Sequence, residues 1–223
     1  MTVWTQFVQR FSGHFRDRRN QLITSTFPNL HDLTVCDLGG SLHFWERWSP
    51  DLVPTDLTLL NIGIDGQSSS HTGALEHLSI QLYDGHKIPY PDDHFDVLIC
   101  NSVIEHVALG DRSGLAEEIQ RVSKYYFVQT PAAEFPIEPH FVLPFVHWLP
   151  RRVGVYFVPF GLWAIMTRPT KQRMRDYFEE VHLLTRLELA SYFPGSTVAI
   201  ERLLLMPKSY TVHRGTRNEA HGA

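Results

Sequence analysis

The sequence predicts an α/β protein built on a doubly wound, mostly parallel sheet of seven strands, and three observations support this fold class. Five short apolar runs alternate with polar or helical stretches between residues 33 and 129, the pattern of parallel strands buried on both faces. The first run breaks into a glycine turn at Asp37-Leu-Gly-Gly. Two further apolar runs near the C-terminus predict an antiparallel hairpin.

The elements follow from local patterns. Apolar residues recur at spacings of three and four from Val3 to Phe15, which predicts an amphipathic helix. The parallel strands are predicted at Leu33–Leu38, Leu57–Ile64, His77–Tyr83, Phe95–Cys100 and Tyr125–Gln129. Further helices are predicted at Phe44–Trp48, at Ser113–Ser123 and from a capping box at Thr185 and Glu188 to Tyr192. The hairpin is predicted at Val198–Met206 and Tyr210–His213, with Pro207-Lys-Ser as its turn.

The alternation stops between Thr130 and Leu184. This stretch carries half of the 14 prolines among many aromatic residues, and prolines at that density break long elements into short ones. We therefore predict a cap inserted over the sheet edge at residues 130–184 of a single domain spanning 1–223. A lid helix is expected at 1–20 and a disordered tail at 214–223.

Composition excludes several classes of protein. The chain has 223 residues, a net charge of −4 and 43% hydrophobic residues, which describes a globular protein. No apolar run approaches the ~18–20 residues that cross a bilayer, and the N-terminus does not have the order of a signal peptide. Cys36 and Cys100 lie in apolar runs, so we expect reduced core thiols and a cytoplasmic protein. The absence of a basic stripe argues against nucleic acid as a partner.

The segment from Tyr83 to Val107 carries the most specific motif. Asp84 and Gly85 follow one strand, and a proline-rich turn leads into a second strand that ends in Asn-Ser-Val-Ile-Glu-His. Together with the Asp-Leu-Gly-Gly turn upstream, this segment resembles the class I S-adenosylmethionine-dependent methyltransferases, in the group related to the ubiquinone-biosynthesis and type 11 enzymes. The resemblance covers residues 33–130 and, more loosely, 185–213. It implies a Rossmann-like fold and S-adenosylmethionine as the cofactor.

The resemblance also implies roles for individual residues. Asp37 would orient the glycine turn and face the methionine amine, while Asn61, or Asp65 as a fallback, would bind the ribose. Asp84 would accept a hydrogen bond from the adenine amino group. The complete set of predicted cofactor residues is Asp37, Gly39, Gly40, Ser41, Asn61, Asp84, Gly85, Asn101 and Ser102. A third small residue is missing from the glycine turn, where His43 and Phe44 follow Ser41.

The acceptor is expected to be a small molecule, a sugar or a lipid-linked molecule, because an aromatic cap can stack on such groups. We predict O-methylation with His140 as general base, assisted by His106 and Glu138, since an imidazole pKa near 6.5 suits removal of a hydroxyl proton. His147, Trp148 and Phe141 are the predicted acceptor contacts. If 141–148 is helical, His140 and His147 share one face.

Several alternatives stay open. An amine acceptor needs no strong base, so N-methylation is one, and a methyltransferase-like binding or partner subunit without turnover is another. A nicotinamide-binding domain is rejected, because the turn lacks the Gly-x-Gly-x-x-Gly spacing. His86 and His94 flank Asp92-Asp93 in a proline turn; we read this as a solvated loop and predict no metal ligands. Arg151-Arg152 and the apolar stretch Val153–Met166 fit either a packed cap helix or peripheral membrane contact. The protein is expected to be a monomer or homodimer.

Overall fold

The computed structural model describes residues 3–63 and 78–215. The strands are β1 (Thr34–Leu38), β2 (Asp56–Asn61), β3 (Leu78–Leu82), β4 (Phe95–Asn101), β5 (Ser123–Pro131), β6 (Ile137–Glu138), β7 (Leu143–Pro144), β8 (Thr197–Leu203) and β9 (Met206–Arg214). The helices are α1 (Val3–Thr26), α2 (Leu42–Trp45), α3 (Arg112–Val122), α4 (Arg151–Gly154), α5 (Leu162–Thr167), α6 (Lys171–Glu180) and α7 (Arg186–Tyr192). No helix in this part of the chain is both long and apolar enough to span a membrane.

The main sheet confirms the predicted fold class. Its seven strands lie in the order β3-β2-β1-β4-β5-β9-β8, with β1 to β5 parallel and β9 antiparallel to both of its neighbours. The chain winds outward from β1 to β3 and then crosses back to β4 on the other side of β1. Ligands of such sheets bind in the crevice at the carboxyl ends of the strands where the winding reverses. The edge between β1 and β4 is therefore the expected cofactor site.

Two apolar layers cover the sheet. One face packs α1 and α2 through residues such as Ile23, Phe27 and Trp45, and the other packs α3 and α7 through residues such as Ile119 and Leu189. The predicted capping box is present, since the Thr185 hydroxyl accepts from the Glu188 N–H and the Glu188 carboxylate accepts from the Thr185 N–H.

The cap has a small core of its own. Phe141, Val146, Val158 and Phe178 are all buried there, while β6 and β7 form a separate two-stranded sheet at its entry. Short helices fill the remainder, as the prolines predict.

Residues 141–148 do not form the α-helix that would place His140 and His147 on one face. Pro144 lies in β7, and Phe145 has a left-handed φ of 60°. Both features break an α-helix, so His140 and His147 do not share a helical face.

The hairpin turn also differs from the prediction. Leu204 and Leu205 form the turn, and Pro207 lies inside β9 opposite Arg202 at a break in the register. Proline is tolerated there because the pairing of β9 with β5 begins only at Ser209, so the missing N–H costs no bond on that side.

Several helix and strand boundaries differ from the predicted ones. Helix α1 continues to Thr26, β2 ends at Asn61, and the helix predicted at Phe44–Trp48 is the shorter α2. Arg214, predicted to lie in the tail, pairs with Tyr126. His77, Asp65 and residues 216–223 lie outside the described residues.

Candidate active site

A small cavity lies where the winding of the sheet reverses. It has a volume of about 170 Å³ and is lined by Asp37, Gly39, Gly40, Ser41, Phe44 and Asn101. Five of these six residues belong to the predicted cofactor set. The strand register explains the grouping, because β1 and β4 are parallel neighbours and both end at this edge.

The glycine turn needs both of its glycines. Gly39 adopts a φ of 71°, and a Cβ atom there would overlap the Val103 side chain. A Cβ atom at Gly40 would overlap the carboxylate of Asp37. The turn therefore forms a cradle in which backbone, rather than side chain, borders the cavity, and this is the surface that a ligand can approach closely.

Asp37 is the acidic group of this cavity. Its Oδ2 atom accepts a hydrogen bond of 2.8 Å from the indole N–H of Trp45. Burial raises its pKa to about 7, although the Trp45 hydrogen bond and the charge of Arg19 act in the opposite direction. Among the described residues, Arg19 is the cationic group whose charge acts on Asp37, and a buried carboxylate of this kind favours a cationic ligand group beside it. Neither partner was predicted from the sequence, because α1 and α2 reach Asp37 only through tertiary packing.

The remaining predicted cofactor residues, Asn61, Asp84, Gly85 and Ser102, are not among the residues that line this cavity. The Asn61 side-chain amide donates to the carbonyl of Gly40 at 3.1 Å, so it braces the glycine turn. Asp84 accepts from the backbone N–H groups of His86 and Lys87 at 2.8 and 2.9 Å, and these bonds lower its pKa. Gly85 has a φ of 84°. Ser102 has a φ of 57° and its N–H donates to the carbonyl of Gln129.

A cluster of acids and histidines forms the second part of the site. Glu138 Oε1 lies 2.6 Å from Nδ1 of His140, and Glu138 Oε2 accepts from the backbone N–H of Phe141 at 2.7 Å. On the other side of the ring, His140 Nε2 lies 3.8 Å from Glu105 Oε1. The Thr130 hydroxyl donates to Glu105 Oε2 at 3.0 Å. The structure thus brings together the predicted catalytic residues and adds Glu105, whose only sequence signal was its place beside His106.

His106 joins this cluster from the loop after β4. Its ring centroid lies 4.9 Å from that of His140, and its Nδ1 atom lies 3.1 Å from Glu180 Oε1. Arg112, which the sequence did not single out, fixes the loop by donating to the carbonyls of Val107, Glu105 and His182. One donor atom from each of Glu105, His106 and His140 lies within 4.8 Å of the other two.

The pKa shifts in the cluster follow from burial and from neighbouring charges. Burial raises the pKa of Glu105 to about 7. Burial alone would lower the pKa of His140, but the Glu138 hydrogen bond and the charges of Glu138, Glu105 and Glu180 outweigh it and raise this pKa. Burial and the adjacent His140 lower the pKa of His106. The cluster therefore holds groups that exchange protons near neutral pH.

Protein groups engage the three predicted acceptor contacts in this conformation. His147 Nε2 and Trp148 Nε1 lie 3.1 and 2.7 Å from the carbonyl oxygen of Ala133. Phe141 is only 1% exposed, and its ring packs against Trp163, Tyr177 and Phe178 inside the cap. In this conformation the Phe141 ring supports the cap and presents no surface to an acceptor.

Asp92 and His94, in the proline turn, are engaged by neighbouring side chains. Asp92 forms an ion pair of 3.0 Å with Arg121, and the His94 ring stacks on Tyr90 at 4.6 Å.

A much larger cavity adjoins the small one. It has a volume of about 970 Å³ and lies between α1, the β8–β9 hairpin and the start of the cap. Arg19 lines this cavity and stacks on Phe44, which lines the small one. Gln129 also lines it and pairs in register with Asn101 of the small cavity. The sequence did not predict this cavity, because its walls come from three distant segments.

Comparisons with known proteins agree with this geometry. Residues 39–125 match the model of a methyltransferase domain family of type 11. No curated protein sequence gives a significant match.

Solved structures show the same fold. A S-adenosylmethionine-dependent methyltransferase from Mesorhizobium loti is 14% identical with a TM-score of 0.56, over 86% of this chain and 95% of that one. One from Archaeoglobus fulgidus is 13% identical with a TM-score of 0.54, over 96% and 100%.

The magnesium protoporphyrin IX methyltransferase of Synechocystis, with bound S-adenosylhomocysteine, is 10% identical with a TM-score of 0.54, over 96% and 87%. The family match covers residues 39–125 and agrees with the motifs around the glycine turn and the cavity at the switch point. This part of the chain is a class I S-adenosylmethionine-dependent methyltransferase domain of type 11.

Proposed function

We propose that the protein methylates an oxygen atom of an amphiphilic small molecule, sugar or lipid-linked acceptor that binds in the large cavity. The observation behind this proposal is the position of that cavity, which shares Arg19 and Gln129 with the surroundings of the cofactor cavity. A methyl acceptor must meet the cofactor in a space that excludes water. A cavity of about 970 Å³ fits a drug-sized or lipid-sized molecule.

The small cavity suits the methionine end of S-adenosylmethionine, which supplies a methyl group on a sulfonium. The buried Asp37 carboxylate is proposed to pair with the ammonium group, while Gly39, Gly40 and Ser41 allow close approach to backbone. Asn101 and Ser102 would border the same end. The cradle supports this fit, because a Cβ atom at Gly40 would fill it.

The other cofactor assignments follow the sheet edge. Asn61 is proposed for the ribose hydroxyls, and Asp84 for the adenine amino group, with Gly85 leaving room for the ring. Asp84 begins the turn after β3, and the N–H groups of His86 and Lys87 lower the pKa of its carboxyl group. This favours the ionised form, which only accepts hydrogen bonds.

The lining of the large cavity indicates the chemistry of the acceptor. Half of the residues that line it are apolar, among them Phe15, Phe135 and Ile137. Five basic residues and one acidic residue also line it. Arg19 Nε is buried and has no hydrogen-bond partner among the described residues. An acceptor that combines an apolar body with an acidic group satisfies both features.

His140 is proposed as the general base, oriented by Glu138 and assisted by His106. The Nδ1 side of its ring is held by Glu138, which leaves Nε2 to accept a proton. Neutral His140 would take the hydroxyl proton as the oxygen attacks the methyl carbon. The imidazolium that forms lies between Glu138 and Glu105 and is stabilised by both.

One observation favours a second acceptor chemistry. Ile137 and Pro139 line the large cavity, whereas the alternate residues Glu138 and His140 contact Glu105 and its surroundings. His140 is therefore not part of the cavity lining, and general-base catalysis would require the acceptor hydroxyl to extend past Ile137 and Pro139. A carboxylate acceptor held by Arg19 needs no base, so methylation of an acid oxygen is the alternative.

Calorimetry with S-adenosylhomocysteine and with amphiphilic probes tests the proposal. We expect micromolar binding of S-adenosylhomocysteine, at least tenfold weaker in Asp84→Ala, and unchanged in Asp92→Ala, whose side chain is exposed beside Arg121. We expect 12-hydroxydodecanoate to bind more tightly than dodecyl glucoside, and Arg19→Gln to abolish that preference. No S-adenosylhomocysteine binding at millimolar concentration would contradict the enzyme reading and leave a non-catalytic subunit.

A further inference from the structure

The outer surface of the cap is strongly apolar. Half of the large apolar side chains that are exposed among the described residues lie between Val142 and Met166. The largest contributors include Phe145, Trp148, Tyr156, Phe157, Phe160 and Met166. We call these six residues the cap face. Monomeric proteins rarely leave so many aromatic side chains in water unless the surface binds something.

This exposure is not a by-product of forming the cap core. Val146 and Val158 are buried inside the cap, while the neighbouring Phe145 and Phe160 are 53% and 69% exposed. The cap thus has an inner apolar layer that holds it together and a separate outer layer. Tyr156 and Met166, at 72% and 65% exposed, belong entirely to the outer layer.

The charge of the same segment is one-sided. No aspartate or glutamate occurs from Pro139 to Arg175, and six arginine and lysine residues do. Five of them are exposed: Arg152, Arg168, Lys171, Arg173 and Arg175. Asp176, Glu179 and Glu180 follow at the end of α6, so the excess of positive charge is confined to Pro139–Arg175. This stretch also carries the cap face, and it is the part of the cap that an anionic surface would attract.

Exposed aromatic residues in the same stretch as exposed basic residues are the composition of elements that lie in the interface of an anionic membrane. Short helices such as α4 and α5 can lie flat there, with apolar side chains among the acyl chains and guanidinium groups beside lipid phosphates. Val142 connects this surface to the active site, since it is 45% exposed and also lines the large cavity.

We propose that the cap face docks the enzyme on the surface of an anionic lipid bilayer. Docking would place the mouth of the acceptor cavity against the membrane. The docking itself depends only on the exposed cap residues, so it is independent of the acceptor and of the base assigned above.

Vesicle pelleting of the full chain tests the proposal directly. We expect the partition coefficient to be at least tenfold higher on vesicles of 70% phosphatidylcholine and 30% phosphatidylglycerol than on pure phosphatidylcholine. Each basic residue near such a surface contributes about a fivefold increase, and salt screens this attraction. Raising NaCl from 0.1 to 0.5 M should therefore lower binding at least fivefold.

Two variants distinguish binding through the cap face from nonspecific hydrophobic binding. Phe160→Glu should lower binding at least tenfold, whereas Leu205→Glu should not, although Leu205 is 90% exposed at the tip of the β8–β9 hairpin. Circular dichroism melting would show that both variants are folded. In the unmodified protein, brominated lipids should quench fluorescence, and Trp148→Phe should reduce that quenching.

The proposal is overturned if wild-type protein binds neither vesicle or binds both equally. Equal losses in Phe160→Glu and Leu205→Glu would also contradict it. A dimer in light scattering that Phe160→Glu dissociates, without vesicle binding, would assign the cap face to a second copy of the chain instead. Because S-adenosylhomocysteine binding is measured separately, failure of docking and failure of the proposed function give different results.

Discussion

Glu138 holds His140 in a fixed orientation, with Oε1 lying 2.6 Å from Nδ1 and Oε2 accepting from the next backbone N–H at Phe141. Both carboxylate oxygens are therefore engaged, and the 1% exposure of the glutamate keeps water from replacing them. A carboxylate beside an imidazole fixes its tautomer and raises its pKa.

The first prediction concerns the pH dependence of methyl transfer. A base must be neutral to accept a proton, and the pKa of His140 is raised by Glu138 and the other acids despite burial. The rate should therefore increase as pH rises through a value above 6.5. Glu138→Gln removes the carboxylate that raises the pKa of His140 most, so the increase of the rate with pH should occur at lower pH. His140→Ala should lower kcat at least a hundredfold.

The matched control for this prediction is His147→Ala, which removes a cap histidine that bonds only to a backbone carbonyl. It should keep most of the activity. Unchanged turnover in His140→Ala would reject the base and favour an acid oxygen as the acceptor.

The second prediction concerns Asp37. Its pKa of about 7 means that about one molecule in ten carries the charged form at pH 6. If the carboxylate pairs with the ammonium group of the cofactor, S-adenosylhomocysteine should bind about tenfold more tightly at pH 8 than at pH 6, with a proton released on binding. Calorimetry in two buffers measures both. Asp37→Asn should weaken binding and remove the pH dependence; a pH-dependent Asn variant would exclude Asp37.

The third prediction compares alanine substitutions at Gly40 and Gly114. Gly40→Ala places a methyl group against the Asp37 carboxylate, so we expect at least a tenfold loss of S-adenosylhomocysteine affinity. Gly114→Ala is the control, because it lies in α3 with no heavy atom within 4 Å of its added Cβ. It should stabilise the fold by about 0.5 kcal/mol and leave binding unchanged. Equal affinities for the two variants would contradict the cradle.

The fourth prediction tests metal removal. Glu105, His106 and His140 place donor atoms within 4.8 Å of one another, and two imidazoles with a carboxylate are also a donor set for divalent cations. If His140 acts as the base, dialysis against EDTA should leave the initial rate unchanged, and added Zn²⁺ should inhibit. Loss of activity that Zn²⁺ or Mn²⁺ restores would reject the base assignment.

The sequence carried enough information for the framework. Continuous apolar runs specify buried parallel strands, and the glycine pair after β1 specifies a tight turn with backbone exposed to a ligand. The capping box at Thr185 could also be predicted from the sequence. These features are local, since a few neighbouring residues determine them, and the family resemblance rested on the same segments.

Tertiary structure decided the rest. Arg19 extends from α1 to the ring of Phe44, which lines the small cavity, and Glu105 lies 3.8 Å from His140 although 35 positions of the chain separate them. The periodicity of the sequence does not predict such contacts, because they depend on how the cap and α1 pack on the sheet. The position of Pro207 could not be predicted from the sequence for the same reason. A proline fits inside β9 because β5 does not pair with β9 at that residue, and only the sheet shows this. The sequence alone determined the sheet, the glycine turn and the methyltransferase family, whereas packing between distant segments determined the buried charges and the two adjoining cavities.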